Sequence, residues 1–238
     1  MFSLLVRRDG LIDPPAMGEV DYHCHILPRI DDGPRDDRSS LAIARLLLEM
    51  GVRKVVATPH VISDVYPNTT ERILGAVTEL RKLLRDSGLR LEVDAGAEYY
   101  AEADLIDRIG RDDLLSFGDQ RYVLFESPVE QSPMVLDEVV FGLKSAGYTP
   151  LMAHAERYRF LQGKPEAVAD LRRLGVRFQV NHPSFLLPKT SRRGEMARWL
   201  YIKGLVDELG TDMHRAAPWI GRPAETSRKR GSRGHKSR

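Results

Sequence analysis

Cysteine is almost absent: the 238 residues contain one, Cys24. This excludes an internal disulfide and any cation site built from several thiolates. Long apolar runs are missing too. No stretch approaches the roughly eighteen residues that a membrane-spanning helix needs. The apolar start, Met1–Val6, is cut short by Arg7, Arg8 and Asp9 and does not form a signal-peptide core. There is no Walker loop, no G-x-G-x-x-G after the first strand and no internal repeat, so the common nucleotide-binding classes find no support. These absences read together as a cytoplasmic protein.

What is present is ordinary globular material. Hydrophobic residues make up 42% of the chain and charged residues 29%, which argues against global disorder. The length fits one large domain able to bury a full core. The net charge of +2 is unevenly spread. Arg228, Lys229, Arg230, Arg233, Lys236 and Arg238 crowd into Ser227–Arg238 with no acid among them, so residues 1–226 are net negative. Such a tail could meet nucleic acid or an anionic membrane; its ordinary reading is a solvated terminus. Residues 1–18, with Pro14 and Pro15, read as an irregular leader, residues 19–223 as the folded body and residues 224–238 as the basic, disordered tail.

Within the body, strand and helix patterns alternate. Strands are expected at Glu19–Tyr22, Lys54–Ala57, Leu91–Ala95, Tyr122–Phe125, Pro150–Ala153, Val176–Val180 and Leu205–Gly210. Helices are expected at Ser39–Met50 with Gly51 as its stop, after a capping box at Asn68–Glu71, and at Ala103–Ile109, Ser132–Lys144, Pro165–Leu174 and Arg193–Lys203. Alternation of this kind predicts a parallel sheet with crossover helices. A closed or nearly closed barrel of the TIM type is the natural candidate, and a doubly wound open sheet the alternative.

Histidines and acids gather at the expected strand ends. They are Asp21, His23 and His25 on the first strand, His60, Glu98, Glu126, His154 with Arg157, His182, and Asp212 with His214. Alternation along a strand points Asp21, His23 and His25 to one side. Any one of these is unremarkable: a lone histidine is more often a surface or hydrogen-bonded residue, Asp31-Asp32-Gly33-Pro34 alone is a turn, and Trp199 reads as core. Six of the seven histidines at strand ends are a different matter, because parallel barrels open those ends on one face. Imidazoles and carboxylates without thiolates suit Zn²⁺, Mn²⁺ or Fe. The donors exceed the needs of one tetrahedral ion and suffice for two or three, an arrangement suited to phosphate-ester hydrolysis.

The segments V-D-Y-H-C-H-I-L-P-R-I-D-D-G-P (20–34), A-T-P-H (57–60), G-A-E-Y-Y (96–100), R-Y-V-L-F-E (121–126), A-H-A-E-R-Y (153–158), T-D-M-H (211–214) and G-R-P (221–223) resemble the bacterial manganese-dependent protein-tyrosine phosphatases of the CpsB/YwqE type. Those belong to the polymerase-and-histidinol-phosphatase (PHP) superfamily. The resemblance implies an α/β fold, a distorted (β/α)7 TIM-like barrel, with three Mn²⁺ or other divalent ions. It implies His23, His25, Glu98 and Asp212 on one ion, Glu98 bridging to a second with Glu126 and His154, and Asp32, His60 and His214 on the third. Arg157 and Arg222 match arginines that grip the substrate phosphate. The implied reaction is attack on phosphorus by a metal-bound hydroxide. The implied partner is a phosphotyrosine-bearing autokinase of capsule or exopolysaccharide export. No nucleic-acid partner and no membrane span are expected, and an oligomer is compatible with all of this.

The ends depart from the family pattern. The family begins just before the D-x-H-x-H strand, which makes Met17 a second candidate start with Met1–Ala16 as an added leader. It also continues into helical sequence where this chain turns basic. Other readings stay open: another PHP phosphoesterase acting on histidinol phosphate or nucleic acid, a non-catalytic remnant that serves as a binding module, or a cysteine phosphatase. The last is disfavoured because four residues, not five, separate Cys24 from Arg29.

Overall fold

A computed structural model of the chain describes residues 14–216. Its strands are β1 (Val20–Cys24), β2 (Lys54–Ala57), β3 (His60–Val61), β4 (Glu92–Ala95), β5 (Glu98–Tyr100), β6 (Tyr122–Glu126), β7 (Thr149–Met152), β8 (Arg177–Asn181) and β9 (Glu208–Gly210). Its α-helices are α1 (Asp37–Glu49), α2 (Thr70–Asp86), α3 (Ala103–Gly110), α4 (Leu136–Ser145), α5 (Pro165–Arg173) and α6 (Arg192–Ile202). Short 3-10 turns follow β7 at Ala155–Arg157 and β8 at His182–Leu186.

Local chemistry explains the boundaries. Asp36 caps α1 by accepting from Ser39 N at 2.8 Å, and Gly51 ends the helix with φ at +91°, a conformation open to glycine. The expected capping box is displaced by one residue. Thr69 is the cap of α2 and accepts from Arg72 N, while Asn68 is buried and donates to Ile30 O at 3.1 Å and His60 O at 2.8 Å. Helix α4 starts at Leu136 rather than Ser132, because a residue preceding a proline (here Pro133) disfavours helical backbone. The last strand is shorter than expected, Glu208–Gly210.

All strand pairings are parallel, in the orders β1-β2-β4 and β3-β5-β6-β7-β8-β9. Two expected strands, Lys54–Ala57 and Leu91–Ala95, appear as β2 and β4, and each is followed by a short strand the sequence did not predict, β3 and β5. Pro59 interrupts the path from β2 to β3, and Gly96-Ala97 the path from β4 to β5. Pairing carries across the breaks through Gly96 N to Ala57 O and Glu98 N to Pro59 O, both 2.9 Å. A side chain at Gly96 would come within 2.9 Å of Phe117 and Val56. The segment after β9 returns to β1: Cys24 bridges Met213 in parallel, and Asp212 N donates to His23 O at 2.7 Å. The first and last strands are therefore neighbours.

Alternation sorts the side chains. Val55, Val123, Phe125 and Met152 join the main core under the helices. Val56, Leu124, Leu151 and Ala153 form a second apolar cluster with Phe117 and Tyr122. Glu126 continues the Tyr122–Leu124 face of β6, so an apolar floor leads up to carboxylates at the C-terminal strand ends. Among the described residues no helix is long and apolar enough to cross a membrane. At the N-terminal end, Met17 is buried in the core and the Pro15 carbonyl meets His182 Nε2 at 2.9 Å, so this part of the expected leader packs on the body.

Candidate metal centre

Five of the six strand-end histidines converge. His23 and His25, on and just after β1, bring their Nε2 atoms within 3.2 Å of each other. Each Nε2 also lies 3.2 Å from Glu98 Oε2. Asp212 Oδ1 stands 3.6 Å from the first and 3.5 Å from the second. His60 Nδ1 sits 3.2 Å from both Glu98 Oε2 and Glu126 Oε1. His154 Nε2 is 2.9 Å from Glu98 Oε1 and 3.7 Å from Glu126 Oε2. His214 stacks on His25 with ring centres 3.8 Å apart, and its Nε2 is 3.1 Å from Asp32 Oδ1.

Three clusters of mutually close donor atoms result: His23, His25 and Asp212; His60, Glu98 and Glu126; and His25, Asp32, His60 and His214. The expected grouping put Glu98 with His23, His25 and Asp212, and His154 with Glu98 and Glu126; in the structure Glu98 clusters with His60 and Glu126, and His154 joins none of the three. His25 belongs to two clusters, and His60 faces the Glu98–Glu126 pair as well as Asp32. Asp21 does not join them, although alternation pointed it the same way. The pairing of β1 with β2 is irregular between Asp21 and Cys24, and the Asp21 carboxylate is taken by Thr211 N at 2.9 Å and Thr211 Oγ1 at 2.6 Å. Burial pushes Asp21 up to about 6 against these bonds. His182 points to Pro15 instead. Arg222 lies outside the described residues.

Side chains behind the donors hold them in place. A cation-binding imidazole is usually oriented by a partner on its other nitrogen. His23 Nδ1 lies 2.9 Å from Gln179 Oε1, His25 Nδ1 2.7 Å from Asp31 Oδ2, and His214 Nδ1 3.1 Å from Asp212 O. In each case Nε2 is left facing the centre. Gln179 Oε1 also accepts from His154 N at 2.7 Å, and its Nε2 donates to Asn181 Oδ1; Asn181 donates to Asp212 Oδ2 at 2.8 Å. The sequence reading missed these roles of Gln179, Asn181 and Asp31. A signal was there for two of them: Gln179 and Asn181 are polar at i and i+2 of β8 and so share one face of the strand. His154 and Asp212 adopt left-handed backbone, φ +34° and +53°, strain of the order of 1–3 kcal/mol each that clusters at functional sites.

The charge balance favours cations. Burial alone would lower His23, but the Glu98 and Asp212 carboxylates outweigh it and hold the imidazole up at about 9. Burial likewise opposes His25, which Asp31 and Glu98 keep well above its ordinary value. Glu98 is held well below the carboxylate range by His23, His154 and His25 despite its burial. Both Glu98 oxygens, His60 Nδ1 and His154 Nδ1 are buried without a hydrogen-bond partner, an arrangement that costs stability unless something else satisfies them. Nitrogen and oxygen donors without thiolate fit divalent ions of the Mn, Fe or Zn kind.

The centre floors a cavity of about 700 Å³ whose wall includes Arg157. Arg157 Nη2 donates to Asp212 Oδ2 at 2.6 Å, and its Nε is buried without a partner. Cys24 offers no nucleophile. Its thiol is fully buried and contacts Met213 O at 3.5 Å, burial pushes it well above its ordinary value, and Arg29 pairs with Asp37.

Parallel strands that gather imidazoles and carboxylates at their C-terminal ends define the class: an α/β protein with a candidate metal centre. The chain belongs to the CpsB/CapC family, whose model, described as capsular polysaccharide synthesis, CpsB/CapC, matches residues 19–233. It is 33% identical over 165 residues to the tyrosine-protein phosphatase YwqE of Bacillus subtilis, a match covering 69% of this chain and 65%, under two thirds, of that protein. It is 28% identical over 200 residues to the tyrosine-protein phosphatase CpsB of Streptococcus pneumoniae, 82% of each. Crystal structures of YwqE and CpsB describe them as unique metal-dependent tyrosine phosphatases; the matching chain superposes with a TM-score of 0.76 at 30% identity, over 82% of this chain and 79% of that one.

Proposed function

We propose that this protein is a metal-dependent protein-tyrosine phosphatase. Residues 19–223 would form a distorted (β/α)7 barrel of the PHP superfamily, with 1–18 as leader and 224–238 as tail. Glu98 carries the reading: a fully buried carboxylate, both oxygens without hydrogen-bond partners, amid three donor clusters. His23, His25, Glu98 and Asp212 would hold one ion, Glu98, Glu126 and His154 a second, and Asp32, His60 and His214 a third, with Mn²⁺ the expected metal. Such ions neutralise phosphoryl oxygens and lower the pKa of water.

The chain's own residues bind and orient the ester. Arg157 keeps Nη2 on Asp212 while its partly exposed guanidinium lines the cavity, where a planar, permanently charged group would recognise a phosphoryl anion. Asn181 and Gln179 hold Asp212 and His23 in register. Hydrolysis joins the oxygen of one water to phosphorus and breaks the bond to the phenolic oxygen, which takes up a proton and leaves as tyrosine. Arg222 is a second candidate phosphate ligand by family resemblance. The substrate would be a phosphotyrosine-bearing kinase of polysaccharide export, met in the cytoplasm.

Phosphate release from a phosphotyrosine peptide, a phosphoserine peptide, histidinol phosphate and single-stranded DNA, each with Mn²⁺, tests the reading. Fastest turnover of the phosphotyrosine peptide is expected. Preference for histidinol phosphate or DNA, or no turnover of any of the four, would overturn it.

A further inference from the structure

The cavity over the donor clusters does not end at Arg157. Across a rim formed by Arg157, Leu187 and Arg193 it adjoins a second cavity of about 630 Å³. That second space is walled by Arg157, Arg159, Arg192 and Arg193, against one acid, Glu130. Arg159, Gln162 and Arg192 in turn border a third cavity of about 420 Å³ that carries Lys164 and Glu195. A cationic trough therefore leads away from the centre.

Arg157 is held by Asp212 at 2.6 Å, but the other three are not spent on strong internal pairs. Arg159 meets Glu130 at 3.3 Å, an exposed pair on both sides, of a kind that contributes little. Arg192 and Arg193 have no ion-pair partner among the described residues. Their placement is rigid all the same. Gly194 lets the start of α6 press on the turn after β8, where a Cβ would meet Leu187 Cβ at 3.0 Å and Ser184 O at 3.2 Å. Arg198 clamps that turn by donating to Leu187 O at 3.0 Å.

We infer that the trough is a subsite for acidic side chains flanking the reacting residue, so that the preferred substrate is a phosphotyrosine within an acidic peptide. This rests on the phosphatase reading, because a reacting group carried by a polypeptide must lead its neighbours over the rim. No aromatic side chain lines the second cavity, and Trp199 at the third is the one aromatic along the trough among the described residues; this disfavours single-stranded nucleic acid, whose binding relies on a succession of stacked bases as well as charge.

The test uses the full chain loaded with Mn²⁺ and two fluorescent peptides carrying a non-hydrolysable phosphotyrosine mimic. One is flanked by Asp and Glu, the other by Asn and Gln. Anisotropy should give the acidic peptide about tenfold tighter binding at low salt, the sum of several partly exposed ion pairs. The gap should shrink near about 0.5 M salt. The Arg159→Gln/Arg192→Gln variant should bind both peptides alike while hydrolysing para-nitrophenyl phosphate at the wild-type rate, which also reports its fold. Equal binding of the two peptides by the wild type, or a preference that survives in the variant, would overturn the inference. So would displacement of the acidic peptide by oligothymidylate as readily as by itself. If the loaded wild type failed to hydrolyse para-nitrophenyl phosphate yet showed the acidic preference and its loss in the variant, the subsite would stand and the phosphatase reading would fall.

Discussion

A carboxylate with about 1% of its side chain exposed, as in Glu98, stays ionised only when positive charge surrounds it. Here imidazoles supply that charge, and divalent ions would replace their protons on binding. Glu98→Gln keeps the shape and removes the charge. It is expected to lower the bound metal by at least one ion per chain, read by elemental analysis after dialysis; an unchanged count would remove Glu98 from the centre. In the proposed reading Arg157 would act on the ester rather than on the ions. Arg157→Ala should lower kcat/KM by about 2–4 kcal/mol of transition-state stabilisation, by analogy with the loss of one oxyanion donor, and leave the metal count unchanged. Arg157→Lys should recover little, since an ammonium cannot present the bidentate fork. Wild-type kinetics in Arg157→Ala would place it outside the site.

At the scale of elements, the centre depends on how closely β1, β8 and β9 approach. Gly210 makes that approach possible: a Cβ there would lie 2.5 Å from His23 Cβ, 3.0 Å from His23 N and 2.7 Å from Gln179 Nε2. Gly210→Ala should destabilise the fold by roughly 1–3 kcal/mol, as overpacking does, and loosen metal binding through His23. Gly75→Ala is the counterpart. Gly75 sits exposed within α2 with nothing within 4 Å of its would-be Cβ, so about 0.8–1.0 kcal/mol of stabilisation is expected from helix propensity. Urea denaturation of both variants checks the pair, and equal effects of one sign would contradict the packing account. The strand-end histidines and acids were legible because parallel strands impose a common exit face. The short strands β3 and β5 were not, since they are two and three residues long and lie beyond Pro59 and Gly96, which read as strand ends. Nor was the fate of Asn68 legible, because a residue typical of helix caps was drawn instead to the Ile30 and His60 carbonyls.

Over the whole molecule, a half-buried acid away from the centre makes stability depend on pH. Glu208 on β9 is pushed up to about 7, chiefly by burial and further by Asp207, while hydroxyls of Tyr122 and Tyr22 pull the other way. Unfolded, its value is near the ordinary 4.5. Below that pH both states hold the proton. As pH rises from 4.5 towards 7 the unfolded chain releases it first, so this group's contribution to stability falls through that window and levels off above it. Glu208→Gln should therefore gain stability relative to wild type as pH rises from 4.5 to above 7, seen in paired urea curves across that range; a constant difference would contradict the assigned shift. The acidic body and basic tail were legible from composition, although the tail lies outside the described residues and its structural reading stays with the sequence.

The most direct test of the central claim is phosphate release from a phosphotyrosine peptide by protein stripped of metal, followed as Mn²⁺ is returned, with Cys24→Ser measured alongside. The account predicts no release without ions, release that rises as ions bind, and the same curve for Cys24→Ser, because the thiol is buried away from the cavity. Release by protein verified as metal-free, or loss of activity in Cys24→Ser with its ions still bound, would contradict it.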